Sequence, residues 1–269
     1  MVQRSTEFDQ TEFDQSNRLK SYSAVLTVLF FSIAAIPSLA EEQPDPASDP
    51  ESNERYEFRE EHDPNGIGKF YMGREIAHVM GVGGIPWLER PQRETEESLS
   101  KLIDSLKLQE GDHAADIGAG SGVLTFRMAE RVGKSGLVWA LDIQPEMLEA
   151  LDLRREELKI AQVKPLLCTV KETKLPPESI DLALFVDVYH ELEFPYEMML
   201  DLSQRMKVGG RVVLVEYRKE DPKVPIKEVH KMHAAQVRRE LGLPEFKLKW
   251  KETLDVLPRQ HIIIFEKQP

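Results

Sequence analysis

Residues 113–132 read HAADIGAGSGVLTFRMAERV. An apolar run over 113–119 ends among glycines, and apolar residues at helical spacing follow over 122–132. That is a buried strand, a tight turn and a helix in immediate succession. Gly118, Gly120 and Gly122 occupy the turn, where a missing Cβ lets the backbone bend sharply and a ligand come close. Their G-x-G-x-G spacing differs from the G-x-G-x-x-G of dinucleotide-binding turns. Asp116, just ahead of the first glycine, suits a cationic ligand better than a pyrophosphate.

The same rhythm continues outward. Upstream, 94–108 carries Leu99, Leu102, Ile103 and Leu106 at helical spacing. Downstream come a strand over 137–143 and a helix over 145–159 with Pro145 at its start. A strand over 163–169 follows, which Pro165 restricts to an edge or an end. Next are a long buried strand over 180–188 and a helix over 195–206 closed by Gly209 and Gly210. A strand over 211–218, a helix over 226–241 and strands over 246–254 and 260–268 complete the chain.

Strands alternating with helices predict a parallel sheet covered on both faces. Only residues 255–259 separate the last two strands, too few for a crossover helix, so those strands form an antiparallel hairpin. The fold class is α/β: a doubly wound, mostly parallel sheet with helices on both faces. Ligands of such sheets bind beyond the carboxyl ends of the strands, at the switch point. Asp142 ends the second strand, where a carboxylate accepts both hydroxyls of a ribose.

These motifs resemble those of the class I S-adenosylmethionine-dependent methyltransferases, closest in flavour to small-molecule enzymes of the quinone-biosynthesis type. ADIGAGSG, LDIQPEML, IDLALFVDVYHEL and LSQRMKVGGRVVLVEYR carry the resemblance, which covers roughly residues 94–269. It implies seven strands in the order 3-2-1-4-5-7-6 with strand 7 antiparallel. It also implies S-adenosyl-L-methionine as cofactor and S-adenosyl-L-homocysteine as product. Gly118, Ala119, Gly120 and Gly122 would hold the methionine part, Asp142 the ribose, and Ile143 would cover the adenine, with Asp116 and Asp187 completing the set. The family often places an acid directly after the third strand for the adenine amine. CTVKETKLP departs from that pattern, and Glu172 is the nearest acid.

Methyl transfer from a sulfonium is an in-line displacement in which positioning supplies up to ~7–11 kcal/mol. A base is needed only where the acceptor carries a proton. The fourth strand ends in VDVYHEL, bringing Asp187, Tyr189, His190 and Glu191 to the ligand edge. His190 is the general-base candidate, since an unperturbed pKa near ~6.5 suits proton removal at neutral pH; a structural or substrate-orienting role is the alternative. Glu216, Tyr217 and Arg218 end the fifth strand at the same edge. His230 and His233 share a face of the predicted helix and, with His190 and Glu191, have the chemistry of metal ligands. No spacing among them is diagnostic, and no metal is assigned. Residues 222–252 carry eight Lys/Arg against four Glu, a patch that suits an anionic acceptor or simply a solvated face.

Residues 67–97 are glycine-dense yet bear Tyr71, Arg74 and Trp87; the resemblance implies that such an N-terminal segment is a lid or cap contacting the acceptor, with a plain packing role for Trp87 as the alternative. The methyltransferase domain is expected over 98–269. Residues 41–66 are acidic and proline-rich, read as a disordered linker, with the fold starting near Phe70. Arg18 and Lys20 precede an apolar run that ends in small residues at Ser38 and Ala40, so 1–40 reads as a signal peptide or, uncleaved, an anchor touching the membrane through 21–40. That places the chain outside the cytoplasm or on the membrane, and in the cytoplasm if either the start or the signal reading is wrong. TEFDQTEFDQ, 6–15, is a tandem repeat too short to build a fold. A net charge of -12 argues against nucleic acid as partner, and a single cysteine, Cys168, excludes an internal disulfide. Two alternatives stay open: an NAD(P)-dependent oxidoreductase on a similar sheet, and a non-catalytic S-adenosylmethionine-binding protein.

Overall fold

In the computed structural model the described residues are 54–269. The tandem repeat and the apolar run with its cleavage-like end lie outside them. No helix among the described residues is long and apolar enough to cross a membrane. The described chain begins with an antiparallel meander of β1 (Tyr56–Phe58), β2 (Gly66–Tyr71) and β3 (Arg74–Ala77). Three short helices follow: α1 (Ile85–Leu88), α2 (Arg93–Glu97) and α3 (Leu99–Ser105). The alternating part then runs β4 (His113–Ile117), α4 (Val123–Val132), β5 (Leu137–Asp142), α5 (Pro145–Leu158) and β6 (Val163–Leu167). It continues with β7 (Ile180–Val186), α6 (Pro195–Arg205), β8 (Met206–Tyr217) and α7 (Ala234–Leu241), and closes with β9 (Leu248–Leu254) and β10 (Gln260–Lys267).

The large sheet has the order β6-β5-β4-β7-β8-β10-β9. Its first five strands are parallel, and β10 runs antiparallel to both β8 and β9. This is the expected 3-2-1-4-5-7-6 order, with Pro165 on an edge strand where its missing N–H breaks no central ladder. Successive strand residues point to opposite faces, and both faces are buried. Leu182, Leu184, Val213, Val215, Ile262 and Ile264 pack with Leu102, Ile103, Met128 and Val132 on one side. Ala183, Phe185, Val212, Leu214, Ile263 and Phe265 pack with Met199, Leu202, Val237 and Leu241 on the other. Each fully buried side chain of this size contributes about 1.5–3 kcal/mol, so near-continuous apolar strands are what a doubly covered sheet requires. A third cluster joins Tyr56, Tyr71 and Ile76 of the meander to Phe194.

Several expectations change. Strands begin at Tyr56, inside the stretch read as linker and ahead of Phe70: the Tyr56 ring packs 5.5 Å from that of Tyr71 and 5.8 Å from that of Phe194. One aromatic anchor among acids is invisible to averaged composition. The helix read over 94–108 is α2 and α3, broken at Ser98 with φ +56°. Arg93 and Glu97 of α2 turn into a polar cluster while Leu99, Leu102 and Ile103 of α3 face the core, and one straight helix cannot serve both. Only the second half of the helix read over 226–241 forms. Met232 donates its N–H to the Tyr217 carbonyl at 3.0 Å and accepts from the Lys219 N–H at 3.2 Å, an extended pairing with the end of β8 that a helix excludes. His230 ends a 3₁₀ turn (Glu228–His230) and His233 precedes α7, so the two do not share a helix face. Gly209 and Gly210 do not close α6. Met206 pairs with Ile180 and Arg211 with Leu182, so the glycines sit in a bulge within β8.

Candidate active site

The carboxyl ends of β4, β5, β7 and β8 open into one cavity of about 480 Å³, well within the range of small-molecule sites. Ile117, Gly118 and Gly120 line it after β4, Asp142 and Ile143 after β5, Asp187, Val188 and His190 after β7, and Tyr217 at the end of β8. Val79, Met80, Trp87 and Leu88 wall it from the N-terminal side, and Pro225, Ile226, Lys227 and His230 from the segment after β8.

The glycine turn is built for close approach. Gly118 has φ +69°, and a Cβ there would lie 2.6 Å from Val188 Cγ2. Gly120, φ +54°, donates its N–H to Asp142 Oδ2 at 3.0 Å. Asp142 Oδ1 accepts the Gln144 N–H at 3.0 Å, and the Gln144 side chain donates to the Met80 carbonyl at 2.9 Å. The carboxylate is therefore oriented from both sides, with lone pairs left for two more donors. Burial pushes its pKa up, and the backbone N–H groups of Gln144, Gly120 and Ile143 pull against that rise. Ala119 anchors the turn through its N–H to the Leu141 carbonyl at 2.8 Å, and Gly122 caps α4. Beyond Asp142 the wall is apolar: Ile143, Met147, Cys168 and Val170. Glu172 is exposed and is not part of the wall. Asp116 is also absent from the wall. It lies buried behind the turn, accepts the Thr125 hydroxyl at 2.6 Å, and is pushed up to about 6 by burial.

Asp187 follows β7 with φ +55°. Its Oδ2 accepts from Gln260 Nε2 at 2.7 Å, while Oδ1 is buried without a hydrogen-bond partner among the described residues. Burial, with the Glu97 and Glu216 charges nearby, raises its pKa well above the usual carboxylate range. Beside it, Glu97 accepts from Arg93 Nε at 2.7 Å, Arg90 Nη2 at 2.5 Å and the Tyr217 hydroxyl at 2.8 Å. Sequence reasoning left out Glu97 and Gln260. Both lie far along the chain from Asp187, and only the pairing of β10 with β8 and the contact of α2 with Tyr217 bring them there.

His190 is buried and hydrogen-bonded at both ring nitrogens. Nδ1 is 2.6 Å from Glu216 Oε2, and Nε2 is 3.1 Å from His230 Nδ1. Burial lowers its pKa, but the Glu216 charge and hydrogen bond outweigh this and leave it raised. Glu216 does not reach the cavity. Wholly buried, it accepts the Tyr189 N–H at 3.0 Å and holds the imidazole, so it positions His190 rather than touching a ligand. Glu191 is pushed up to about 7 by burial, and His230 is pulled down to about 4 by burial and the neighbouring His190.

Tyr189 leaves the candidate set. Its ring is fully buried edge-on to Phe185 at 6.2 Å, because a 3₁₀ turn (Tyr189–Glu191) swings it inward as His190 turns out. Of the three expected lid residues only Trp87 lines the cavity, 43% exposed and stacked under Arg90. Tyr71 packs in the meander core. Arg74 is bound to Glu240 and donates to the His190 carbonyl at 3.1 Å. His233 faces outward, 3.6 Å from Glu220, and Lys231 is buried against Glu228.

A doubly wound sheet with a terminal antiparallel hairpin, a glycine turn and an acid at the second strand end together define a Rossmann-like nucleoside-binding protein. A family model described as a methyltransferase domain matches residues 108–257, and the chain belongs to that family. A ubiquinone/menaquinone biosynthesis C-methyltransferase of Burkholderia mallei is 27% identical over 142 residues, 52% of this chain and 56% of its own length. A protein from a transposon of Streptomyces fradiae is 30% identical over 117 residues, 44% of this chain and 33% of its own. The chain thus spans about half or less of the curated relatives it matches. Among solved structures, a SAM-dependent methyltransferase of Aquifex aeolicus superposes with TM-score 0.65 at 20% identity, covering 70% of this chain and 98% of that one. The [4+2]-cyclase SpnF superposes with TM-score 0.55 at 14% identity, covering 64% and 81%. Such likenesses establish the fold; the reaction has to be argued from the site.

Proposed function

We propose that the chain is an S-adenosylmethionine-dependent methyltransferase acting on a small molecule. The observation that carries this is one continuous cavity joining the Gly118–Gly120 turn and Asp142 to the His190 wall. The residues fit the cofactor: an oriented carboxylate for a ribose, an apolar slot of Ile143, Met147, Cys168 and Val170 for a base, and a glycine turn for a methionine chain. S-adenosyl-L-methionine, when bound, supplies a methyl group activated by its sulfonium and leaves as S-adenosyl-L-homocysteine. The chain's own part is then to orient, to exclude water and to manage a proton. Asp142 holds the ribose hydroxyls. Asp187, its carboxyl held well above the usual carboxylate range by burial, adds a polar group at the strand end. His190 lines the acceptor end, its Nδ1 held by Glu216 and its Nε2 3.1 Å from His230 Nδ1. Lys227 and His230 on that wall suit an acceptor with an anionic oxygen, and Trp87 covers the mouth. The relative named as a C-methyltransferase of quinone biosynthesis supports a small acceptor.

Calorimetry tests the reading. S-adenosyl-L-homocysteine should bind one site per chain, and Asp142→Asn should weaken it about 10- to 100-fold, the worth of one or two charge-assisted hydrogen bonds. Binding of NAD and not of the sulfonium or its product would overturn it in favour of an oxidoreductase. We further propose export across or attachment to the membrane, supported by Arg18 and Lys20 before the apolar run and the small residues Ser38 and Ala40 at its end. A reporter fused after Glu42 that stays in the cytoplasm would remove that proposal.

A further inference from the structure

Three potential metal ligands converge on one wall of the cavity. His190 Nε2 and His230 Nδ1 are 3.1 Å apart. Glu191 Oε1 is 3.8 Å from the first and 3.6 Å from the second. Donors bound to one transition-metal ion at ~2.0–2.1 Å stand roughly 3.0–3.4 Å apart, so the triangle is close to metal-binding size without rearrangement of the chain. Among the described residues this is the group whose ligand atoms all lie within 4.8 Å of one another.

Each ligand is also aimed. Glu216 Oε2 sits 2.6 Å from His190 Nδ1, which fixes the proton there and leaves the Nε2 lone pair facing the other two groups. This is the carboxylate–imidazole arrangement that stands behind metal-bound histidines. Glu191 Oε2 accepts the Met80 N–H at 3.3 Å, which leaves Oε1 turned toward the imidazoles. Arg74, through the His190 carbonyl, ties the turn carrying both ligands to β3. All three ligands line the cavity, so positions opposite them open toward a bound molecule.

We propose that His190, Glu191 and His230 form a binding site for one divalent transition-metal ion of the zinc class. Two imidazoles and a carboxylate on one face, with open positions, are a ligand set that binds an exchangeable oxygen donor. The donor here is a hydroxyl or enol oxygen of the methyl acceptor, held and acidified by the ion at the acceptor end of the cavity. That role rests on the methyltransferase reading; the metal site itself does not. The ion occupies the Nε2 lone pair, so His190 is then a ligand and no longer a free base.

The test uses the untagged full chain, stripped with a chelator and titrated with Co²⁺ and Zn²⁺. One equivalent of Co²⁺ should give the visible bands of a low-symmetry nitrogen–oxygen site, and Zn²⁺ should displace it. Glu191→Gln and His230→Gln should each abolish the bands, with circular dichroism confirming the fold. Glu216→Gln should keep the stoichiometry and weaken affinity about 10- to 100-fold. Absence of binding below ~1 mM, or bands unchanged in both ligand variants, would overturn the site. S-adenosyl-L-homocysteine titrated into the metal-free chain separates the two claims. Its binding without any metal site would leave the methyltransferase reading standing alone, and Co²⁺ binding without it would do the reverse.

Discussion

Asp116 sits at the point where the glycine turn meets the sheet, buried, with the Thr125 hydroxyl as its one side-chain hydrogen-bond partner among the described residues. Burial raises its pKa from 3.8 to about 6. The folded chain therefore holds this proton more tightly than the unfolded chain does. The resulting stability is fully present below the unfolded value and is lost as pH rises through the folded one. At roughly 1.4 kcal/mol per unit, ionising it in place costs roughly 3 kcal/mol by neutral pH. Asparagine keeps an oxygen for Thr125 and never ionises. Asp116→Asn should match the parent in urea unfolding near pH 4 and exceed it by up to about 3 kcal/mol near pH 7.5. A difference that is the same at both pH values would refute the assignment. Retaining so costly an acid under the glycine turn makes sense if its charge is felt by the ligand, and the same variant should then bind S-adenosyl-L-methionine more weakly than it binds uncharged analogues.

At the scale of elements, two junctions show what sequence patterns miss. Ser98 joins α2 to α3 with φ +56°, a conformation costing an L-residue about 1–2 kcal/mol. Glycine removes that strain but widens the unfolded ensemble by about 0.5–1 kcal/mol, so Ser98→Gly should stabilise by about 0.5–1 kcal/mol, read as a rise of 1–4 °C in Tm, roughly. A fall in Tm would mean that the break is set by something other than α2 turning toward Tyr217. Arg74 ties the meander to the sheet domain through two hydrogen bonds to Glu240, at 3.0 and 3.1 Å. Arg74→Met leaves a buried carboxylate unpaired and should cost about 3–5 kcal/mol, whereas the double variant with Glu240→Met should recover most of it. Equal losses in both would show that packing, not charge, docks the meander. The sheet itself was legible: apolar strands, glycine turns and the short 255–259 link give a parallel, doubly wound sheet with a terminal hairpin on local grounds, and the strand order came from the family resemblance. Ser98, the extended Met232 and the glycine bulge of β8 were not, because each is imposed by a partner distant in sequence. The site divides the same way. Gly118, Gly120, Asp142 and His190 could be read from their places at strand ends. Tyr189 and Glu216 could not be ruled off the cavity wall, since a single 3₁₀ turn decides which of two adjacent side chains faces it.

At the scale of the whole molecule, the cavity is a place where parts remote in sequence meet. Its floor is the sheet edge, and its sides are the segment from Val79 to Arg93 and the segment from Pro225 to His230. Neither side has a regular element long enough to be stable alone; α1 has four residues and the 3₁₀ turn ending at His230 has three. A ligand that fills the space between them stabilises only the assembled state, by about 2.7 kcal/mol at a hundredfold excess over Kd. Saturation with S-adenosyl-L-homocysteine should therefore slow amide exchange in three stretches at once: 79–93, 117–122 and 142–147. The central, buried strands β7 and β8 should exchange only by global opening, and so slow only as far as Tm rises. Protection confined to 117–122 and 142–147 would mean that the N-terminal segment packs beside the cofactor without covering it. Trp87 would then guard nothing, and the acceptor would enter from the side now assigned to the lid. A metal ion at His190, Glu191 and His230 adds an independent arm to the same measurement. It should protect 189–191 and 228–230 without the nucleoside, because its ligands join the end of β7 to the segment after β8, and the nucleoside's hold the ends of β4 and β5.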